Sequence, residues 1–176
     1  MKLKVIRLLL LTAALTLAVA CSVEKTQTFD LLKAIDKEQS DVVQRLLDSG
    51  IDPNENPSPV DTPLEGAYPL HVAVVKGNEE IVRILLDNGA KIGIKAKNTD
   101  EATPLAWAAF FGQRDMVSLL IESGAPINAL DANHSTPLDA AAFVWRLSHD
   151  NEVKAKPLME IITILKANGG KTADDL

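Results

Sequence analysis

Few residues of this 176-residue chain have types that could do chemistry, and their spacing forms no recognisable catalytic group. His71, His134 and His149 are separated by long stretches of sequence. There is no H-E-x-x-H pattern, no glycine-rich phosphate loop and no cysteine–histidine cluster. Asp131 and Asp139 are the candidate carboxylate pair. We therefore expect a non-catalytic protein that needs no cofactor and no metal.

Cys21, the single cysteine, follows a segment with the pattern of a secretion leader. Residues 1–7 carry three basic side chains and no acid, and residues 8–19 form an apolar run. That run is too short to cross a bilayer, which takes about 20 residues, but it suits a signal peptide. Ala18 and Ala20 predict cleavage just before the cysteine. The site resembles the lipobox of bacterial lipoproteins, although Ala18 stands where that motif usually has leucine.

These features predict a signal peptide over residues 1–20 and a lipidated tether over residues 21–27. Acylation of Cys21 would remove an unpaired thiol, which is a liability in an oxidising compartment. The alternative is ordinary cleavage at the same bond, which leaves the thiol free. Ser22 resembles the residue found in lipoproteins sorted to the outer membrane. We expect a periplasmic protein that contacts the membrane only through its lipid.

Composition excludes several classes of protein. Without the three basic residues of the leader, 15 basic residues face 24 acidic ones, a net charge of −9. Nucleic-acid binding needs a basic surface, so we expect no nucleic-acid partner. Aromatic residues make up only 4% of the chain, which favours packed helices over a β-sandwich. One cysteine also excludes an internal disulfide framework.

A repeated hexapeptide organises the chain after residue 28. Tyr-Pro-Leu-His-Val-Ala at 68–73 recurs as Thr-Pro-Leu-Ala-Trp-Ala at 103–108 and as Thr-Pro-Leu-Asp-Ala-Ala at 136–141. This pattern resembles the ankyrin repeat, which has a period of about 33 residues. The resemblance implies an all-α ankyrin-repeat solenoid of about four helix-turn-helix repeats, with degenerate capping repeats at both ends. The repeats would cover residues 28–60, 61–98, 99–131 and 132–176 of a single domain, 28–176.

The repeat pattern also predicts where helices begin and end. Thr103 and Thr136 are expected to be N-caps, each followed by a proline at the first helical position. A glycine eight residues after the first two prolines permits the turn into the second helix, and Gly89 and Gly124 end that helix in a left-handed conformation. The residues between this glycine and the next proline would form an extended finger.

Within this framework the candidate chemical residues have structural interpretations. His71 occupies the histidine position of the motif, where a hydrogen-bonded bridge between repeats is expected. Asp139 occupies the same position in the last repeat, and Asp131 stands at the acidic turn position. Ser135 and Thr136 are better interpreted as a helix start than as a nucleophile.

The fourth repeat departs from the pattern. Pro137 is 32 residues from Gly169, whereas the corresponding separation is 20 residues in the two preceding repeats. Trp145 stands where those repeats have glycine, and the extra stretch lies around residues 146–157. Either the first helix runs on or a loop emerges. Partner binding and a harmless insertion are both compatible with the sequence.

The ankyrin resemblance also implies a binding surface in the concave groove, at positions six and seven after each proline. Three of the four phenylalanines fall on these positions, which suggests an exposed interaction site. The alternative is that Phe110 or Phe143 packs into the core or under the insertion. Trp107, one turn earlier, could equally have a packing role. The predicted groove residues are Val75, Lys76, Trp107, Phe110, Phe111, Phe143 and Val144, with a polar rim of Asp100, Glu101, Asn133 and His134.

We therefore interpret the chain as a protein-binding module, monomeric when unbound. It resembles small ankyrin lipoproteins that neutralise toxic effectors, including lipases, delivered into the periplasm by neighbouring cells. This resemblance implies an immunity protein whose partner is such an effector. The alternatives are a general envelope scaffold or oxidative-stress-protection factor, an enzyme that uses the fourth repeat, and a lipoprotein that contacts the cell wall.

Overall fold

A computed structural model describes residues 30–55, 64–148 and 151–176 of the chain. The predicted leader, Cys21, the tether and His149 lie outside the described residues. Within those three ranges the structure contains helices and turns and no strand, which confirms the all-α prediction. The helices are α1 (residues 30–36), α2 (Ser40–Asp48), α3 (Pro69–Lys76), α4 (Glu79–Asp87), α5 (Pro104–Phe110), α6 (Arg114–Glu122), α7 (Pro137–Leu147) and α8 (Glu152–Ala167), followed by a 3₁₀ turn at Ala173–Asp175.

The first helix of each later repeat begins as the sequence predicts. Thr103 accepts a hydrogen bond from the amide of Ala106 at 3.3 Å, and Thr136 accepts one from the amide of Asp139 at 3.2 Å. Proline follows both threonines, at the first helical position, where an amide hydrogen would have no acceptor within the helix. Both N-cap predictions are confirmed.

The second helix of every repeat ends on a left-handed glycine. Gly50, Gly89, Gly124 and Gly169 have φ between 86° and 95°. The amide after each glycine donates to a carbonyl in the last turn, as Ala90 does to Leu85 at 2.9 Å. This pattern satisfies carbonyls that have no partner within the helix. The glycine prediction is therefore confirmed.

The helices form two layers around a continuous core. α3, α5 and α7 pack in succession in one layer, while α2 packs against α4 and α6 against α8 in the other. Since each repeat buries its apolar face only against its neighbours, the repeats depend on one another for stability. The largest fully buried apolar side chains are Leu31, Ile35, Val43, Leu70, Ile81, Leu85, Leu105, Met116, Leu120, Ile161 and Leu165.

Two asparagines tie the ends of second helices to neighbouring repeats. The side chain of Asn54 donates to the Gly89 carbonyl at 3.0 Å and accepts from the Lys91 amide at 2.7 Å. Asn128 makes the same pair of bonds with the Gly169 carbonyl, at 3.1 Å, and the Lys171 amide, at 2.8 Å. We call Asn54 and Asn128 the asparagine clamps.

Longer helices accommodate the extra residues of the fourth repeat. α7 has 11 residues, against 8 in α3 and 7 in α5, and α8 has 16, against 9 in both α4 and α6. The first helix therefore runs on, as one of the two alternatives expected, and α8 also begins early. Pro157 lies inside α8 and does not end it. None of the helices in the described ranges combines the length and hydrophobicity needed to cross a membrane.

Candidate protein-binding groove

Backbone hydrogen bonds hold the fingers side by side. The Lys97 amide donates to the Gly66 carbonyl at 2.8 Å, and the Ala132 amide donates to the Asp100 carbonyl at 2.7 Å. In the second to fourth repeats the backbone is left-handed two residues before the N-cap of the first helix, at Gly66, Glu101 and His134. The fingers therefore repeat one geometry, which fixes their tips relative to the first helices.

His71 bridges the second and third repeats, as the sequence predicts. Its Nδ1 accepts from the Tyr68 amide at 3.3 Å, and its Nε2 hydrogen is placed to donate to the Ala102 carbonyl at 3.1 Å. The ring is fully buried and meets Trp107 edge-on, with 4.9 Å between ring centroids. Burial lowers the pKa of His71 to about 4, although the hydrogen bond to Ala102 opposes that shift. The imidazole is therefore neutral near pH 7 and has a structural role.

The two candidate carboxylates also have structural roles. Asp139, at the position equivalent to His71, accepts from the amides of Thr136 at 3.0 Å and Ala173 at 2.8 Å. It thereby ties the start of α7 to the C-terminal 3₁₀ turn. Asp131 accepts from the amides of Asn133 and Ser135, both at 2.8 Å, and so closes its finger. These bonds agree with the structural interpretation of both acids.

Three phenylalanine side chains lie on the surface at the C-terminal half of the groove. Phe110, Phe111 and Phe143 are 44%, 47% and 49% exposed. Phe110 and Phe111 meet edge to face, with 5.3 Å between centroids, and Phe111 meets Trp107 in the same way at 6.0 Å. Trp107 itself is only 8% exposed. The rings therefore do not fold into the core, and Trp107 has the packing role considered as its alternative.

These rings surround an open cavity of about 510 Å³. Six of the predicted groove and rim residues line it: Trp107, Phe110, Phe111, Phe143, Asp100 and Asn133. Five others do not line it: Val75, Lys76, Val144, Glu101 and His134. The structure thus gathers the predicted aromatic residues at the third and fourth repeats and leaves part of the predicted site elsewhere.

The remaining predicted residues lie in different surroundings. Lys76 forms an ion pair with Asp36 at 2.6 Å, where repeats one and two meet. Val75 and Val144 are partly buried. Glu101 and His134 are exposed at their fingertips.

Several residues that line the cavity were missed by sequence reasoning, among them Asp131, Asp139 and Arg146. Arg146 follows Phe143 by three positions on α7, so the two share a helix face. The three-residue spacing between Phe143 and Arg146 predicts this only if α7 continues past Phe143, and the sequence left that open. The two aspartates were assigned to turns and caps, and the sequence does not show that those turns border the cavity.

The lining combines an apolar wall with three aspartates and one arginine, an arrangement suited to recognition. In the described parts of the chain, no three histidine, cysteine, aspartate or glutamate residues come together as a metal site. The geometry supports contact with an apolar group from a partner.

Comparison with known proteins identifies the repeats. The chain matches the Ankyrin repeats family in three copies, over residues 5–96, 31–131 and 89–154. It is 33% identical over 116 residues to the E3 ubiquitin-protein ligase KEG of Arabidopsis thaliana, covering 66% of this chain and 7% of that protein. It is 30% identical over 118 residues to the transient receptor potential cation channel subfamily A member 1 of Drosophila melanogaster, covering 60% and 10%.

A bacterial relative is Protein PhlB of Serratia liquefaciens, 35% identical over 113 residues, covering 64% of this chain and 47% of that protein. The chain thus spans less than half the length of each of these three relatives. The repeats indicate protein binding. The proteins that share them are varied, so they do not identify a partner. The chain belongs to the ankyrin-repeat family and is a protein-binding module of that family.

Proposed function

We propose that this chain is a lipid-anchored periplasmic immunity protein that binds and blocks a toxic secreted effector, such as a lipase. The observation that carries the proposal is the cluster of exposed phenylalanines around a preformed cavity in the groove. Clustered exposed aromatic residues are typical of surfaces that bind other proteins. The predicted leader and the predicted acylation of Cys21 would place the protein in the periplasm, where incoming effectors act.

A rigid solenoid suits an inhibitor of this kind. The two helix layers, the bridges of His71 and Asp139 and the asparagine clamps hold the groove in one shape before a partner arrives. Little conformational entropy is then lost on association, which favours tight binding. Inhibition follows if the solenoid covers the entrance to the effector's active site or holds its lid closed.

Growth competition tests this function. A strain that lacks the gene is mixed with its parent, which delivers the effector, and survivors of each are counted. We expect the mutant strain to be killed and the full-length gene to restore its survival. A gene with Cys21→Ser should restore it less well, because the protein would no longer be held at the membrane.

Two outcomes decide between the proposal and its alternatives. Equal survival of the mutant and the parent would overturn the immunity function. Loss of peroxide resistance in the same mutant, without loss in competition, would instead support the oxidative-stress-protection alternative. Immunoblots of the variants confirm that each protein is present at the parental level.

A further inference from the structure

The charges at the rim of the cavity complement a basic partner. Asp100, Asp131 and Asp139 line the cavity, and Arg146 is the one basic residue of the lining. Asp100 is exposed and makes no ion pair with any residue that the structure describes. Glu101, the next residue, is also exposed and adds a further negative charge near the rim. The apolar wall therefore lies beside a net negative potential.

The long first helix of the fourth repeat extends the apolar wall beyond the cavity. Leu147 follows Phe143 by four residues on α7, so both side chains lie on the same face of the helix. Leu147 is 71% exposed. In the second and third repeats the first helix ends at Lys76 and Phe110 and offers no such continuation. The longer helix thus adds exposed apolar surface one helical turn beyond Phe143, which lines the cavity.

We propose that this cavity and Leu147 together bind a projecting loop of the partner, whose tip carries a large apolar side chain next to lysine or arginine. A cavity of about 510 Å³ is large enough for an aromatic side chain with neighbouring backbone. Phe110, Phe111 and Phe143 contact the apolar residue, while Asp100 and Asp131 attract the basic one. The inference rests on the proposed use of this groove for partner binding and specifies the chemistry of the partner.

Selection from a peptide library tests the inference without knowledge of the natural partner. Disulfide-cyclised heptapeptides displayed on phage are selected on the immobilised full-length chain and, in parallel, on the Phe143→Asp variant. We expect peptides with Phe, Trp, Tyr or Leu beside Lys or Arg to be enriched on the wild type only. Enrichment of acidic peptides, of peptides without a large apolar residue, or of the same peptides on both proteins would overturn the inference.

Affinity measurements on one selected peptide separate the apolar contribution from the electrostatic one. By fluorescence anisotropy we expect Phe143→Asp to weaken binding by about tenfold or more, on the order of a lost hot-spot contact. Leu147→Ser should weaken it severalfold, with no loss of folding because the side chain is exposed. If the Leu147→Ser variant binds the peptide as tightly as the wild type, the extension of α7 is not part of the binding site.

Two nearly isosteric changes test how much the aspartate charges contribute to peptide binding. Asp100→Asn with Asp131→Asn removes two charges, and the new amide side chain at position 131 keeps an oxygen that can accept from the finger amides. We expect weaker binding and a smaller dependence on salt. Asp100→Asn alone is the second variant in case the double change disturbs the finger. Glu65→Gln with Glu122→Gln, two exposed acids outside the cavity lining, is the matched control and should leave binding unchanged.

An unchanged salt dependence in the Asp100 variants would overturn the charge part of the inference. Growth competition distinguishes this failure from failure of the proposed function. If the full-length gene protects but the selected peptides lack the expected chemistry, only the inference fails. If basic aromatic peptides bind but the gene gives no protection, the immunity function fails and the chemistry of the site stands.

Discussion

The two halves of the concave surface use the same repeat positions in opposite ways. In the N-terminal half, Lys76 reaches across to Asp36 and forms an ion pair at 2.6 Å. In the C-terminal half, position seven holds Phe111 and position six holds Phe110 and Phe143, and each of these residues is nearly half exposed. The polar half thus satisfies its own side chains, whereas the aromatic half leaves apolar surface for a partner to bury.

This difference shows that repeat positions alone do not determine where binding occurs. Both halves have the same helix pairs, the same glycine turns and an asparagine clamp. They differ in side chains at the groove and in the length of the last repeat. We therefore expect changes to the shared framework to affect stability in both halves and changes at the groove to affect binding in one.

Mild acid is expected to have the largest effect, through the bridge that joins the two halves. Burial lowers the pKa of His71 to about 4 in the folded chain, whereas its ordinary value of 6.5 applies in the unfolded chain. Protons therefore bind the unfolded chain preferentially. The stability that the neutral ring contributes is intact above pH 6.5 and is lost as the pH falls towards 4. The loss from this one group is about 2 kcal/mol by about pH 5.

Denaturant unfolding at about pH 7 and about pH 5, on either side of the unfolded-state pKa, checks this expectation. His71→Gln is less stable at both pH values because it disturbs a buried bridge, but it should lack the part of the pH dependence that comes from the imidazole. The same pH dependence in both proteins would contradict the neutral, buried state of His71.

Replacing the exposed rings is expected to affect binding more than stability. Phe110→Asp and Phe143→Asp should each weaken partner binding by about 2 kcal/mol, or roughly thirtyfold, because each removes an aromatic contact. The melting temperature should change little, since both rings are half exposed. Calorimetry of the variants supplies the control, and unfolding of both would show that the rings hold the core.

The asparagine clamps test whether the framework is equivalent in both halves. Asn54→Ala and Asn128→Ala each remove two hydrogen bonds between neighbouring repeats. We expect each to lower the free energy of unfolding by about 1 kcal/mol, because the bonds are exposed to water. A much larger effect at one clamp, measured by urea unfolding, would show that the framework itself differs between the halves.

The smallest effect is expected for the ion pair in the N-terminal half. Lys76→Ala should lower the free energy of unfolding by less than about 0.5 kcal/mol, because solvent screens an exposed pair. Partner binding should stay within about twofold of the wild type. If Lys76→Ala weakens partner binding by about tenfold, the N-terminal half takes part in binding, and the assignment of the site to the C-terminal half is wrong.

Much of the fold could be predicted from the sequence because local chemistry determines it. Thr103 and Thr136 cap helices, and Gly89 and Gly124 end them, for reasons that involve only a few neighbouring residues. The fourth repeat was less certain. Trp145, in place of the turn glycine, allowed α7 to continue, but the sequence did not show whether residues 146–157 would form a helix or a loop.

The site could be predicted only in part. The exposure of Phe110 and Phe143 follows from their position six residues after the repeat proline, which the repeat spacing fixes. The cavity depends instead on how the second and third fingers, between Gly89 and Pro104 and between Gly124 and Pro137, sit against α5 and α7, which no local pattern specifies. Asp131 was interpreted as a turn residue, and it both closes the turn and lines the cavity.

Edge-to-face ring contacts connect the buried His71, through Trp107 and Phe111, to the exposed Phe110. The indole of Trp107 lines the cavity and also borders the buried imidazole, so its ring current falls on the protons of His71. A ligand that shifts Phe111 is therefore expected to change the surroundings of the Trp107 indole, and with them its fluorescence. Binding at this surface can therefore be followed through Trp107, without a label on either molecule.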